Sequence, residues 1–271
     1  MATLSAAHTQ VAAEHKQWRD DSRRSAWLAY AQSADEVTSL VSGLVRGDLS
    51  YGPECEVTLS SHYQRLSEVE FEVPPEIFAI ARQMHDILTQ QLLMSAFINP
   101  YVVIRRRFDR ILAEARSAAA VTPLDELPLR DRRIIESDQA LSSLSSRRTH
   151  SVEVPSDALL EAATMTFAPF IQSAGREHRE ALTQMARGVA TILLTTISTE
   201  PDLYVETQRK LQECGEFDQR EIAGLLVDSA SLMISTFEGS IRWLKGQSNQ
   251  ARKAFLRETD KHLSERLPVR R

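Results

Sequence analysis

Apolar side chains recur every three or four residues along most of the 271-residue chain, which is the spacing of one face of an α-helix. The most regular run is Trp27, Tyr30, Ala34, Val37, Val41 and Leu44. A seam of this kind, held for nearly three heptads, is long enough to pack against a partner helix. We therefore predict a first helix from about Ala6 to Arg46, ended by Gly47 and Asp48.

The same spacing predicts helices through the rest of the chain. Pro74, Pro75 and Glu76 begin one of them, and Asn99-Pro100 is expected to end it because proline removes a helical hydrogen bond. The further predicted helices are Tyr101–Ala120, one from Ser156 that bends at Pro169, Arg176–Ile197, Leu203–Cys214, Asp218–Lys245 and Asn249–Arg266. Asp218 and Glu221 form a capping-box pattern at the start of one of these.

One stretch alternates with a period of two residues, at Val69, Phe71 and Val73. This pattern predicts a short extended segment near residues 67–73, and a single candidate strand does not indicate a sheet. The predicted fold class is therefore all-α, with one or more multi-helix bundles and this one extended segment.

The composition changes between residues 123 and 150, where prolines, charged residues and a run of serines follow one another. Such a stretch is typical of a linker, although a short helix near Arg130–Leu144 also fits it. We predict an N-terminal helical region over 1–122 and a C-terminal one over 151–271, which either stay separate or pack as one bundle.

The overall composition narrows the classes of function. Hydrophobic residues make up 42% of the chain, enough for a core, and the net charge of −5 argues against general attraction to nucleic acid or to anionic membranes. No apolar run approaches the roughly 20 residues that span a bilayer, and the first residues do not have the pattern of a secretory signal. We expect a cytoplasmic protein that is not bound to a membrane.

Recognisable catalytic motifs are missing from the sequence. It contains no Gly-x-Ser-x-Gly elbow, no phosphate-binding P-loop and no Glu-x-x-His pair of the kind that binds two iron ions. The two cysteines, Cys55 and Cys214, do not have metal-type spacing. We predict no cofactor and no metal site, and the balance is against an enzyme without excluding one.

One enzymatic alternative comes from Arg257 and His262. Their Arg-x4-His spacing resembles the motif of the HEPN ribonucleases. The resemblance implies a metal-independent ribonuclease that acts as a dimer. In that case Arg257 would steady a phosphate of the RNA and His262 would move a proton.

A second alternative rests on the arginines Arg105, Arg106 and Arg110, which could neutralise phosphates on nucleic acid. Aromatic residues for base stacking do not accompany them, and no helix-turn-helix pattern is evident. Ion pairs on a solvated helix face are the favoured interpretation of this cluster.

The stretch around the first helix resembles small uncharacterised helical proteins that are common in actinobacteria. The resemblance is carried by Trp18-Arg19, Arg23–Ala26 and Ala29–Ala31, and it extends loosely over Glu14–Ala120. It implies a helical fold and no particular activity.

The leading hypothesis is a helical interaction or scaffold protein that binds itself, another protein, or both. Its predicted contact surface is the seam formed by Trp27, Tyr30, Val37, Val41 and Leu44. Recognisable catalytic motifs are missing from the sequence, whereas apolar residues at helix-packing spacing are abundant.

Overall fold

The computed structural model describes residues 2–146, 164, 167, 171 and 179–266. Over these residues the regular elements are helices, with no strand among them, which confirms the all-α class. The helices are α1 (Ala2–Arg46), α2 (Pro53–Glu70), α3 (Pro75–Ala119), α4 (Leu129–Ser146), α5 (Arg179–Thr199), α6 (Pro201–Cys214), α7 (Gln219–Ser231) and α8 (Met233–Arg266). The predicted helix from Ser156 lies outside the described residues.

Two local end signals are confirmed. Gly47 has a φ of 65°, and its N–H donates to the Leu44 carbonyl oxygen at 3.0 Å, so glycine ends α1 in a left-handed conformation. Asp218 accepts hydrogen bonds from the backbone of Arg220 and Glu221, while the Glu221 carboxylate accepts from the Asp218 N–H. This reciprocal pair is the predicted capping box.

The extended segment predicted near residues 67–73 is wrong, because α2 continues through its first part. Leu66 and Val69 are buried three residues apart on one face of α2. The Val73 N–H then donates to the Val69 carbonyl oxygen at 3.2 Å, which closes a helical turn, and Phe71 is 85% exposed. Only one of the alternating residues, Val69, is buried, so the alternation does not correspond to one face of a strand.

The predicted break at Asn99-Pro100 is also wrong, since α3 runs through Pro100 without ending. A proline inside a helix costs about 3 kcal/mol. Phe97, Ile98 and Val102 are buried on both sides of it, and this packing offsets the lost hydrogen bond. The Asn99 amide also donates to the Leu44 carbonyl oxygen in the last turn of α1 at 2.9 Å and to the Leu49 carbonyl oxygen after it at 2.8 Å.

Residues 129–146 form a core helix, although the composition of 123–150 indicated a linker. α4 packs against α6 and α7, and its buried side chains include Ile134, Leu141 and Leu144. They belong to a cluster with Phe108, Ile111, Leu112, Ala115, Leu211, Cys214, Phe217, Ile222, Leu225, Leu226 and Ala230. The serines and charged residues of this stretch made its composition resemble a linker, although its apolar residues form one buried helix face.

Backbone contacts divide the chain into two compact units. Unit 1 consists of residues 1–43, 51–92 and 240–271, whereas unit 2 consists of 44–50 and 93–239. The core of unit 1 includes the buried side chains of Tyr30, Val37, Val69, Met84, Leu88 and Phe255. Each unit is therefore assembled from segments that are distant in sequence.

The predicted helix over Asp218–Lys245 is interrupted at Leu232, which has a φ of 50°. The Asp228 carboxylate accepts from the Ile234 N–H at 3.0 Å and so caps the helix that follows. Burial raises the pKa of Asp228 above its ordinary value. From Met233 onward α8 is continuous to Arg266, so the break that was expected near residue 246 does not occur.

α3 is long and apolar enough to cross a membrane by length and composition, and α7 with α8 would also qualify if the bent pair were one span. Core helices of soluble proteins have the same composition. Just over half of the α3 stretch is buried inside the chain, as a core helix would be. The absence of a membrane partner stays a prediction.

Candidate functional site

The predicted interaction seam lies inside the chain. Trp27, Tyr30, Val37 and Val41 are at most 3% exposed in unit 1, and Leu44 is fully buried in unit 2. These side chains pack against their own chain, so the seam is not a surface that a second protein can reach in this fold. Any interaction surface has to be sought among other residues.

The seam contributes Tyr30 to a stack of rings in unit 1, of which Tyr30, His62 and Phe255 are buried. The Tyr30 ring stacks on His62 with centroids 4.9 Å apart, and His62 stacks on His85 at 5.2 Å. Phe255 meets Tyr30 edge-on at 5.4 Å, and Tyr63 lies 5.6 Å from His85. The stack joins α1, α2, α3 and α8, and edge-on and offset contacts of this kind are the favoured geometries of aromatic pairs.

Hydrogen bonds hold the rings of this stack in position. The Tyr30 hydroxyl donates to the Ala81 carbonyl oxygen at 2.6 Å, and the Ser33 hydroxyl donates to the Tyr30 carbonyl oxygen at 2.8 Å. Ser33 Oγ also lies 2.7 Å from His62 Nδ1. Ser33 and His62 are thus joined by a hydrogen bond whose direction is set by the imidazole tautomer.

The His62 imidazole is held neutral. Burial, together with the neighbouring His85, lowers the pKa of His62 to about 3. Its Nε2 atom is buried, and no hydrogen-bond partner reaches it within the described part of the chain. Burial also raises the pKa of the Tyr30 hydroxyl, so both rings stay uncharged at neutral pH.

The Ser33–His62 pair does not have the geometry of a catalytic nucleophile and its base. The Ser33 hydroxyl also lies 2.8 Å from the Tyr30 carbonyl oxygen, and Ser33 and His62 are only 5% and 0% exposed. A substrate therefore has no access to the oxygen. This arrangement specifies how α1, α2 and α3 pack.

The two residues of the ribonuclease motif have separate surroundings in unit 1. The Arg257 guanidinium binds the Glu258 carboxylate at 2.9 Å and is largely exposed. His262 is half-buried, and its ring centroid lies 6.3 Å from that of Trp27. The ribonuclease alternative needs a second chain to complete its site, so it stays a prediction.

The predicted anion-binding arginines in unit 2 are mostly engaged by carboxylates of the chain. Arg105 binds Asp109 at 3.1 Å, and Arg106 binds Asp48 at 2.8 Å. Asp48 also accepts from Arg46, and the two arginines together lower the pKa of its carboxyl group. Arg110 is exposed. A nucleic acid would have to displace these carboxylates before Arg105 and Arg106 could bind its phosphates.

The N-terminal half of α1 carries an exposed surface of unit 1. We call residues 14–25 the α1 arm. None of its side chains is buried, and Trp18 is 66% exposed, with the His15 ring set edge-on at 6.2 Å. The first buried side chain along α1 after this arm is Trp27. The helix thus passes from an exposed arm to an anchored seam.

The sequence contains one indication of the α1 arm, the tryptophan Trp18 among charged residues. Val11 and Trp18 continue the seam only weakly, among charged residues. Counting 100° per residue, Trp18 lies roughly opposite Trp27 on the helix rather than beside it. An isolated tryptophan away from an apolar seam was the signal that could have located the surface.

Comparisons with known proteins do not identify a relative: no family model, curated protein or solved structure matches the chain. The resemblance to actinobacterial helical proteins accordingly stays a prediction. In the described ranges, no group of three or more His, Cys, Asp or Glu side chains is arranged to hold a metal ion.

Proposed function

We propose that this protein is a helical interaction protein that binds a second copy of itself through the α1 arm. The observation that supports the proposal is the 66% exposure of Trp18 on a helical arm that has no buried side chain. The buried seam holds the base of the same helix in the core. It thereby presents the arm in a fixed direction.

The free energy of covering Trp18 favours such an interaction. A tryptophan can bury about 150–250 Å² on contact, and apolar burial contributes about 25 cal/mol per Å². Covering roughly 150 Å² on each copy therefore contributes about 4 kcal/mol per side chain before the entropy of association is subtracted. Exposed helices of this length are marginal in water without a packing partner.

The charges of the α1 arm favour a second copy over a partner of one charge sign. Both signs alternate along the arm, with acids at Glu14, Asp20 and Asp21 and bases at Lys16, Arg19, Arg23 and Arg24. A nucleic acid or an acidic partner calls for a surface of uniformly positive charge. Interspersed charges instead allow the same surface to be complementary to itself.

Light scattering coupled to size-exclusion chromatography tests this proposal on the full chain. We expect a mass of twice the 30.5 kDa of one chain, falling toward 30.5 kDa on Trp18→Glu. Trp243→Glu is the matched control, because Trp243 on α8 is 64% exposed and lies outside the arm. A wild-type monomer at every concentration would overturn the proposal, as would equal effects of the two substitutions.

A further inference from the structure

We infer that two α1 arms pair antiparallel about a point near Ser22, so that Trp18 of each copy packs against the small side chains that follow Ser22 in the other. This inference rests on the proposed self-association and gives it a register. It is carried by the placement of Trp18 and by the charge order of the arm.

Trp18 shares its helix face with small residues. Ser22, Ser25 and Ala29 lie four, seven and eleven positions after Trp18, which places them on the same side of α1. Ser22 and Ser25 are exposed, and Ala29 is half-buried. In an antiparallel pair centred on residue 22, position 18 of one copy meets position 26 of the other. Trp18 then lies over the serines and alanines of the second copy.

The charges flanking this face agree with the same centre. Asp21 and Arg24 lie on one flank of the face, and an antiparallel pair brings like flanks together. At this centre Asp21 of each copy lies opposite residue 23 of the other, one helical rise of about 1.5 Å from Arg24, so the long Arg24 side chain can reach it and two symmetry-related ion pairs form. In the described part of the chain neither Asp21 nor Arg24 forms an ion pair, whereas Arg23 is engaged by Glu72 at 3.2 Å.

A parallel pair fits the arm less well. It would place Trp18 against Trp18 and Ser22 against Ser22. Two large side chains would then compete for the space at one position, and two small side chains would leave a cavity at the next. Asp21 and Arg24 would also lose their symmetric pairing. The antiparallel arrangement satisfies both the volume and the charge of the arm.

Disulfide trapping tests the register. Cys55 and Cys214 are buried, so a cysteine added to the arm is the accessible thiol under mild oxidation. We expect Ser22→Cys to give a linked dimer, because the two residues 22 face each other at the centre. Ser25→Cys is the matched control on the same face: its two copies are offset by about 9 Å along the axis, beyond the reach of a disulfide.

Charge exchange tests the same register without oxidation. Asp21→Arg and Arg24→Asp should each weaken the dimer on the order of tenfold, because each creates two like-charge contacts. The double variant, Asp21→Arg with Arg24→Asp, restores both pairs and should return the dissociation constant to within about threefold of wild type. In a parallel pair Asp21 and Arg24 of the two copies do not face each other, so the double variant would not restore the dissociation constant.

The outcomes separate the register from the interaction itself. Linkage at residue 22 without linkage at 25, together with rescue by the double variant, supports the inference. The register is overturned by equal linkage at both positions, by linkage at neither, or by failure of the rescue. If Trp18→Glu still dissociates the dimer in any of these cases, the proposed self-association stands without the register. A wild-type chain that never dimerises overturns both.

Discussion

The His62 imidazole lies against the ring of Tyr30, with centroids 4.9 Å apart and planes inclined by 13°. Ser33 fixes the imidazole in this position through a contact of 2.7 Å to Nδ1. The pair comes from α1 and α2 and is buried in the core of unit 1. It makes the stability of unit 1 sensitive to pH and to single polar atoms.

Acidification is expected to destabilise the protein through His62. The pKa of His62 falls from an ordinary 6.5 to about 3 in the fold, so between these values the unfolded chain binds a proton that the folded chain does not. The stability contributed by neutral His62 is therefore complete above pH 6.5 and declines as the pH falls toward 3. The decline is at most about 1.4 kcal/mol per pH unit for this one proton.

Urea unfolding at pH 7 and pH 5 measures this dependence. His62→Phe keeps an aromatic ring in the stack but cannot titrate, so it should lose much of the decline between the two pH values. His15→Asn is the matched control, because His15 is exposed on the α1 arm and should leave the decline unchanged. Equal pH dependence in wild type and His62→Phe would contradict the account.

Tyr30→Phe should destabilise the protein by about 1–3 kcal/mol. The substitution removes the hydroxyl that donates to the Ala81 carbonyl oxygen at 2.6 Å and leaves that buried oxygen without its donor. Tyr63→Phe provides the control, since Tyr63 is 60% exposed and its hydroxyl can bond to water. Denaturant unfolding should show a change below about 0.5 kcal/mol for Tyr63→Phe, and similar losses in both variants would refute the assigned role of the Tyr30 hydroxyl.

Gly47→Ala should destabilise the end of α1 by about 1–2 kcal/mol. The φ of 65° penalises any side chain, and a Cβ at this position would come within 3.2 Å of Val102 and Arg106 side-chain atoms. Gly188→Ala should have the opposite sign. Gly188 lies inside α5 with nothing within 4 Å of a new Cβ, so alanine there stabilises the helix by about 0.5–1 kcal/mol.

Thermal unfolding of the two glycine variants provides the comparison, because both substitutions add the same methyl group. A lower melting temperature for Gly47→Ala and a higher one for Gly188→Ala are expected. A melting temperature of Gly47→Ala at or above that of wild type would show that the left-handed turn is not required.

Helix ends could be predicted from the sequence wherever one residue type determines the local backbone conformation. Gly47 ends α1 and Asp218 caps α7 because no neighbouring packing has to be known for these roles. The continuation of α3 through Pro100 could not be predicted in the same way. It depends on burial from segments that are distant in sequence.

The proposed interaction surface could not be predicted for a related reason. The seam from Trp27 to Leu44 has the periodicity of a helix contact, and periodicity alone does not distinguish a core within one chain from a contact between two chains. Trp18 carries no periodic signal, yet the fold leaves its side chain 66% exposed. Finding it required knowledge of which faces the remaining helices cover.

Hydrogen exchange of the α1 arm at several protein concentrations tests the central claim most directly. If two arms cover each other, the amides of residues 14–22 should become more protected as the concentration rises, while those around Val37, already in the core of unit 1, should not change. Trp18→Glu should remove the concentration dependence. Exchange of the arm at the same rate at every concentration, in wild type as in Trp18→Glu, would contradict self-association through α1.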